Sequence, residues 1–320
     1  MGCSQTRFQD RVRLTKSEIE VPMNRRAILL TGLGLMLSMQ LVAGSAVLGQ
    51  TSTRDSDIIY RKKQGVALTM DVFRPAKPNG AAVLWMVSGG WVSSHDAINP
   101  GYAKPFTDAG YTFIQVVHGA APRYKVDEIV DDIHRAVRFV RFNAKRFNID
   151  PNRIGISGGS AGGHLSIMMG GFGTAGDPKS VDPIDRESSK VQAVACFYPP
   201  TDLMNYGKEG VKAIDIPMLK SYWPAFGVTD ATAAAEREKI AAKISPIMGN
   251  LKDVPPTLII HGTSDLLVPI QQSERYVAAL KTAGRTAQLE VRPGKGHGWP
   301  GMESELGLFL AWFGKYLPAK

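Results

Sequence analysis

From residue 51 onward, short apolar runs alternate with longer segments in which apolar residues recur every three or four positions. Alternating or uninterrupted apolar runs of four to eight residues predict strands, and the uninterrupted ones predict strands covered on both faces of a sheet. The predicted strands lie at residues 66–73, 81–87, 111–117, 153–156, 191–197, 257–260 and 287–291.

The segments with helical spacing lie between these strands. In the first, Ile129, Ile133 and Val137 are separated by charged residues, which is the pattern of a helix with one apolar face. Strands that alternate with helices predict an α/β fold with a mainly parallel central sheet and helices on both faces. The predicted helices lie at residues 126–147, 161–169, 231–243, 273–282 and 303–316.

Two stretches interrupt this alternation. Residues 170–190 are rich in Gly, Asp, Pro and Ser, and this composition predicts a long surface loop. Residues 202–250 contain aromatic residues, prolines and one predicted helix, and they separate two predicted strands of the core. An insertion of this length at such a position predicts a small cap over a site.

The composition is that of an ordinary globular protein, with 44% hydrophobic and 21% charged residues among 320. The net charge of +9 comes from scattered Lys and Arg, so we expect no nucleic-acid partner. Of the two cysteines, Cys196 lies in an apolar run and is predicted to be a buried structural thiol. The sequence contains no CxxC or HExxH pattern, so it predicts no metal site.

The strongest chemical signal is a glycine-rich turn between a predicted strand and a predicted helix. It reads Gly158-Gly159-Ser160-Ala161-Gly162, the pattern G-x-S-x-G. A serine hydroxyl is a weak nucleophile, and this turn projects it from the backbone toward a base. Gly158 and Gly162 are needed because side chains there would collide with neighbouring backbone. The helix that begins at Ala161 directs N–H groups at an oxyanion, so Ser160 is predicted as a nucleophile, with a plain glycine-rich turn as the alternative.

Six histidines are candidates for the base that activates this serine. His297 lies in a flexible glycine-rich loop after the last predicted strand, and it completes the chain order serine, aspartate, histidine that accompanies such a turn. We therefore predict His297 as the base. The others lie within predicted helices, at a strand end, or in loops where two of them (His95 and His118) remain candidates for lining the site: His95, His118, His134, His164 and His261.

Asp265 is the predicted acid. It follows the strand at residues 257–260, on the loop where a carboxylate can hold the imidazole tautomer and stabilise the imidazolium. The alternative is an aspartate that caps a helix beginning near Pro269, and Asp202 and Asp253 are rivals for the catalytic role.

With these motifs in place, the chain resembles a known group over about residues 60–317. It is similar to the feruloyl- and acetyl-esterase-like (BD-FAE) branch of the α/β-hydrolase superfamily, near the hormone-sensitive-lipase relatives. The likeness rests on the segments GISGGSAGGH, PPTDL, HGTSDLLVP and GKGHGW. It implies the α/β-hydrolase fold and acyl transfer by a Ser160–His297–Asp265 triad, with no cofactor.

The sequence departs from this group beside the expected site. The group's HGGGW loop reads VSGGW at residues 87–91, and its Asp-Tyr-Arg after the fourth strand is replaced at residues 118–119 by His-Gly. The resemblance still implies an oxyanion hole formed by the backbone amides of Gly90, Trp91 and Ala161.

A targeting segment is predicted near the N-terminus. From Met23 the chain reads Met-Asn-Arg-Arg, followed by an apolar stretch over residues 27–42 and then by small residues, which is typical of a secretory signal peptide. The apolar stretch is short for a bilayer span, so we expect no stable membrane anchor after cleavage. We predict a polar extension at residues 1–22, for which a mis-called start ahead of Met23 is one explanation, a signal peptide at 23–50, and a catalytic domain at 51–320 of a secreted or periplasmic protein.

The resemblance implies a serine esterase that acts on a small-molecule or polysaccharide-linked ester, such as an acetyl or feruloyl group on a plant-type glycan. Two alternatives stay open. One is a serine peptidase of the prolyl-oligopeptidase kind, and the other is an inactive hydrolase fold used for binding. The sequence gives no indication of the oligomeric state.

Overall fold

The structure is a computed structural model that describes residues 52–318. The predicted extension at residues 1–22 and the predicted signal peptide at 23–50 lie outside the described residues, so both stay predictions. No helix within residues 52–318 is long and apolar enough to cross a membrane.

An eight-stranded sheet forms the centre of the described chain. Its strands are β1 (Thr53–Lys63), β2 (Val66–Arg74), β3 (Ala82–Val87), β4 (Thr112–Val117), β5 (Ile154–Gly159), β6 (Ala193–Phe197), β7 (Thr257–Gly262) and β8 (Ala287–Arg292). The strand order is β1-β2-β4-β3-β5-β6-β7-β8. Strands β3 to β8 are parallel to one another, whereas β2 is antiparallel to both of its neighbours, β1 and β4. The prediction of a mainly parallel sheet is therefore confirmed.

Strand β1 was not predicted. Its first five and last three residues are polar or charged, so it shows no apolar run, and only Ile58 and Tyr60 are buried. It lies at the edge of the sheet and pairs with β2, where charged residues are favoured because they discourage pairing with other chains.

Eight α-helices connect the described strands. They are α1 (Pro100–Asp108), α2 (Val126–Phe142), α3 (Ala144–Phe147), α4 (Ala161–Phe172), α5 (Trp223–Phe226), α6 (Ala234–Lys243), α7 (Gln271–Thr282) and α8 (Leu306–Tyr316). Helix α1 was not predicted because Pro105 interrupts its short apolar pattern. The predicted helix at residues 126–147 is divided at Asn143, whose side-chain amide and backbone N–H both donate to the Phe139 carbonyl oxygen, at 2.8 and 3.0 Å.

Helices cover both faces of the sheet, as predicted. Buried residues of α2, α4 and α7 pack on one face, and buried residues of α1 and α8 pack on the other. Because both faces are covered, all six residues of β3 and all six of β4 are buried. The carboxyl ends of the parallel strands therefore meet at one rigid edge of the sheet.

The insertion at residues 202–250 packs onto this framework. Its buried apolar residues, among them Ile214, Leu219, Trp223 and Phe226, belong to the same cluster as those of α2 and α4. The Trp223 indole N–H also donates to the Ile214 carbonyl oxygen at 2.9 Å. The insertion is thus a packed element whose apolar side chains extend the core.

Candidate active site

Ser160 lies at a sharp turn between β5 and α4. Its backbone has φ 54° and ψ −121°, a strained conformation for a residue with a side chain. A Cβ added to Gly158 would lie 2.6 Å from the Gly162 backbone, and one added to Gly162 would lie 2.6 Å from the Met86 carbonyl oxygen. The turn therefore requires both predicted glycines, and it presents the Ser160 hydroxyl at the carboxyl edge of the sheet.

The loop after β8 brings His297 to this hydroxyl. Nε2 of His297 lies 2.9 Å from Oγ of Ser160, and Nδ1 lies 2.8 Å from Oδ2 of Asp265. An ionised carboxylate accepts the proton of Nδ1, which leaves the lone pair of Nε2 facing the serine hydroxyl. The structure thus brings together the three side chains that were predicted from separate segments of the chain.

Asp265 is buried, and both oxygens of its carboxylate have hydrogen-bond partners. Its Oδ1 accepts from the backbone N–H groups of Leu267 and Val268 at 3.0 and 2.8 Å, and Nε2 of His261 lies 3.3 Å from Oδ2. Burial by itself raises the pKa of Asp265, but hydrogen bonds from His261, His297 and the Val268 amide outweigh it and hold the pKa well below its usual value. The carboxylate is therefore ionised and fixed in the orientation that His297 needs.

The ring of Tyr198 packs against the imidazole of His297, a contact that the sequence did not predict. Its ring centroid lies 4.5 Å from that of His297, and its hydroxyl lies 3.3 Å from Sδ of Met302. Its backbone has φ 33°, an unusual conformation for a tyrosine, directly after β6. The nearest sequence signal is the PPTDL segment of the family likeness, which begins directly after Tyr198.

The loop after β3 presents unpaired amides beside Ser160. The N–H and C=O groups of Gly89 exchange hydrogen bonds with those of Val92 at 3.0 Å, which closes a tight turn around Gly90 and Trp91. Gly90 and Trp91 have φ 56° and 61°. Their amides, and that of Ala161 at the start of α4, have no hydrogen-bond partner within residues 52–318. This arrangement is suited to stabilising an oxyanion.

Comparison with known proteins agrees with this geometry. The BD-FAE family model matches residues 70–280, about two thirds of the chain. The chain belongs to the BD-FAE family.

The chain is also similar to individual esterases. Esterase LipC of Mycobacterium tuberculosis is 31% identical over 244 residues, which cover 73% of this chain and 57% of LipC. An acetylxylan esterase of Xylanibacter ruminicola is 29% identical over 290 residues, which cover 87% of this chain and 51% of that protein. The chain thus spans about half the length of these curated relatives.

Among solved structures, a truncated carbohydrate esterase from gut microbiota superposes with a TM-score of 0.71 and 27% identity. The match covers 84% of this chain and 98% of that one. The α/β-hydrolase fold implied by the motifs is therefore confirmed.

In this BD-FAE protein, His164 links the loop after β3 to the insertion. Its Nδ1 accepts from the Trp91 indole N–H at 3.2 Å, and its Nε2 lies 2.8 Å from the Ile244 carbonyl oxygen, to which it donates. Burial lowers the pKa of His164 to about 4, so it is neutral near pH 7 and keeps this lone pair. His164 therefore positions Trp91 and does not approach the Ser160 hydroxyl.

The remaining histidines have partners away from the Ser160 hydroxyl. His261 is buried, with Nδ1 2.6 Å from Oγ of Ser273 and Nε2 2.8 Å from the Val268 carbonyl oxygen. His134 in α2 lies 2.8 Å from Oγ of Ser189.

The two histidines kept as candidates for lining the site do not line the cavities beside Ser160. His95 lies 2.8 Å from Oγ1 of Thr69, and Nδ1 of His118 lies 2.7 Å from the Gly119 carbonyl oxygen.

The rival aspartates also have other roles. Asp202 is buried, accepts from the Met204 and Asn205 amides, and pairs with Arg275 at 3.1 Å. Asp253 accepts from the Asn250 side-chain amide at 2.9 Å in an exposed turn.

One group of side chains within residues 52–318 has the spacing of metal ligands: Asp57, Asp71 and His95. Arg54 forms an ion pair with the buried Asp71, so the carboxylate is already neutralised by a side chain. This group lies on the antiparallel edge of the sheet and contributes nothing to the Ser160 site.

We predict that Ser88→Gly changes kcat by less than about tenfold, whereas Gly90→Pro lowers it by about 10²-fold or more. Oγ of Ser88 is buried without a hydrogen-bond partner within the described chain, so it positions none of the amide donors. Proline at position 90 removes an N–H group and cannot adopt φ 56°. Steady-state hydrolysis of p-nitrophenyl acetate tests both variants, with circular dichroism to establish folding. A large loss in Ser88→Gly would show that the hydroxyl itself takes part.

Proposed function

We propose that this protein is a serine esterase that cleaves carboxylic esters through a covalent acyl-enzyme on Ser160. The observation that carries the proposal is the continuous hydrogen-bonded series Asp265–His297–Ser160, which ends beside the unpaired amides of Gly90 and Ala161. Such a series supplies a nucleophile, a base and an oxyanion site in one place.

The reaction proceeds in two steps. Oγ of Ser160 attacks the ester carbonyl carbon while Nε2 of His297 takes the hydroxyl proton, and the amides of Gly90, Trp91 and Ala161 stabilise the oxyanion. The tetrahedral intermediate collapses when His297 returns the proton to the leaving alcohol oxygen, and the acyl group stays on Ser160. Water then attacks the acyl-enzyme by the same route, with His297 again as base, and releases the acid.

The substrate that we propose is a small acyl ester, with an acetyl or feruloyl group linked to a carbohydrate as the leading case. The acetylxylan esterase and the gut-microbiota carbohydrate esterase, each similar over more than four fifths of this chain, support a carbohydrate-linked ester. The BD-FAE membership supports ester rather than amide cleavage.

A matched pair of substrates tests ester against amide cleavage. p-Nitrophenyl acetate and p-nitroacetanilide carry the same acyl group, and alanine p-nitroanilide adds the amine that an aminopeptidase recognises. We expect turnover of the ester and no measurable turnover of either anilide. Rapid cleavage of alanine p-nitroanilide would favour the peptidase, and a folded protein that cleaves none of the three would favour a binding protein.

We also propose export to the periplasm or the medium. The support is the sequence alone, with Arg25 and Arg26 before the apolar stretch at residues 27–42. N-terminal sequencing of the protein from an exporting bacterial host tests this, and the expected start lies between about residues 46 and 52. An intact Met1 or Met23 in the cytoplasmic fraction would contradict it.

A further inference from the structure

Ser160 lies between two cavities that differ in size and in lining. The first has a volume of about 30 Å³ and is lined by Gly90, Trp91 and Ala161 together with apolar side chains. The second has a volume of about 290 Å³ and is lined by His297, Ser88 and several aromatic side chains. An ester bound at Ser160 must place its acyl chain and its alcohol in different cavities, so this asymmetry bears on specificity.

The insertion forms one wall of the narrow cavity. Leu219 and Phe226 are buried in its wall, and the partly buried Tyr222 lines it as well. The Tyr222 ring lies so close to the loop after β3 that a Cβ on Gly90 would be 2.8 Å from it. The Phe226 ring centroid lies 5.1 Å from that of Trp91. The wall is thus packed against the same loop that carries the unpaired amides, and this contact fixes its position.

The wide cavity is built differently. Trp85, Tyr102 and Tyr198 contribute to its lining, and the rings of Trp85 and Tyr102 lie 4.9 Å apart between centroids. Flat aromatic walls with a few polar groups are typical of sites that take a ring-shaped ligand.

The reaction decides which substituent enters which cavity. In the tetrahedral intermediate, the amides of Gly90 and Ala161 hold the oxyanion, and Nε2 of His297 must reach the oxygen of the leaving alcohol. The alcohol therefore occupies the cavity that His297 lines. The acyl chain is left to the narrow cavity, which His297 does not line.

The size of the narrow cavity then limits the acyl chain. Its volume of about 30 Å³ compares with about 290 Å³ for the wide cavity on the same measure, so it offers room for only a short acyl chain. An acetyl group places one methyl beyond the carbonyl carbon, whereas a feruloyl group places an unsaturated linker and a substituted ring there.

We infer that this esterase is selective for acetyl esters of bulky alcohols, with Leu219, Tyr222 and Phe226 of the insertion as the residues that limit the acyl chain. The inference rests on the proposed function and narrows it, because it excludes the feruloyl group from the acyl side and assigns the carbohydrate to the aromatic cavity.

Two isomeric esters test the inference. Benzyl acetate and methyl phenylacetate have the same formula and leaving alcohols of similar acidity, but the phenyl ring lies on the alcohol side of the first and on the acyl side of the second. We expect kcat/KM for benzyl acetate to be higher by about 100-fold or more, since one extra methylene in an apolar pocket already changes kcat/KM by about 10- to 200-fold and a phenyl ring is much larger. Equal rates, a preference for methyl phenylacetate, or failure to cleave benzyl acetate by an enzyme that cleaves p-nitrophenyl acetate would overturn the inference. If no ester is cleaved at all, the proposed function itself fails.

A variant series tests the residue assignment. Leu219→Ala should raise the ratio of kcat/KM for methyl phenylacetate to that for benzyl acetate by about tenfold or more. Met218→Ala is the matched control, because Met218 is the neighbouring residue, is 59% exposed and does not line the cavity; its ratio should be unchanged. The ratio does not depend on the fraction of folded enzyme, and Leu219→Val provides a milder variant if the alanine variant does not fold. An unchanged ratio in both Leu219 variants would contradict the assignment.

Discussion

Replacing Ser160 by alanine is expected to lower kcat for p-nitrophenyl acetate by about 10⁵-fold or more, because the reaction loses its nucleophile. His297→Ala should cost a comparable factor, since the imidazole is the only group whose nitrogen lies within hydrogen-bonding distance of Oγ of Ser160 among the described residues. The double variant should be no slower than either single variant, because the two side chains act as a unit. Single-turnover and steady-state kinetics measure these losses.

Ser304→Ala is a suitable control for this series. Ser304 is exposed and its hydroxyl donates to the Gly301 carbonyl oxygen, away from the turn that carries Ser160. A Ser160→Ala enzyme that keeps more than a few per cent of the activity would show that another group attacks the ester.

The second large effect is expected at Asp265. Asp265→Asn should lower kcat by about 10³- to 10⁴-fold without unfolding the protein. The single oxygen of asparagine can still accept from the amides of Leu267 and Val268, but its NH₂ group then faces Nδ1 of His297. An NH₂ group cannot accept the Nδ1 proton, so the imidazole loses the tautomer that the reaction needs. The measurement is kcat at neutral pH together with the thermal midpoint of unfolding.

Asp253→Asn is the control for this prediction, because Asp253 lies in an exposed turn. Asp202→Asn should instead reduce stability, since the buried Asp202 carboxylate pairs with Arg275 and caps two backbone amides. If Asp202→Asn removed activity from a stable protein while Asp265→Asn did not, our choice of acid would be wrong.

Much of the fold was predictable because the buried strands carry their own signal. Strands β3, β4, β6 and β7 are covered on both faces, so their sequences are mostly apolar and stand out without any tertiary information. The edge strand β1 has no such signal, since most of its side chains are charged or polar and exposed to solvent, and its backbone pairing with β2 holds it in the sheet. Its strand conformation is imposed by the neighbour rather than by its own pattern.

The active site, too, contains features that have a signal in the sequence and features that depend on packing. The glycine-rich turn around Ser160 is a local feature, and the order serine, aspartate, histidine is read along the chain. The sequence therefore indicated all three side chains. The support from Tyr198 and the link from His164 to Trp91 join segments that are far apart in the chain. These contacts depend on packing, for which a single sequence carries no direct signal.

The insertion at residues 202–250 is the clearest example of contacts that the sequence does not indicate. Its position between β6 and β7 and its aromatic content predicted a cap, but nothing in its sequence indicated that Tyr222 and Phe226 pack on the loop of Gly90 and Trp91. That contact defines the narrow cavity, and with it the expected acyl selectivity.

The most direct test of the central claim is covalent labelling with a fluorophosphonate probe, which reacts quickly with a serine paired to a base beside an oxyanion site. We expect one label per molecule of folded protein, located on Ser160 by peptide mapping, and lost together with esterase activity in Ser160→Ala. A folded protein that does not react, or that carries its label on another residue, would contradict the assignment of Ser160 as the nucleophile.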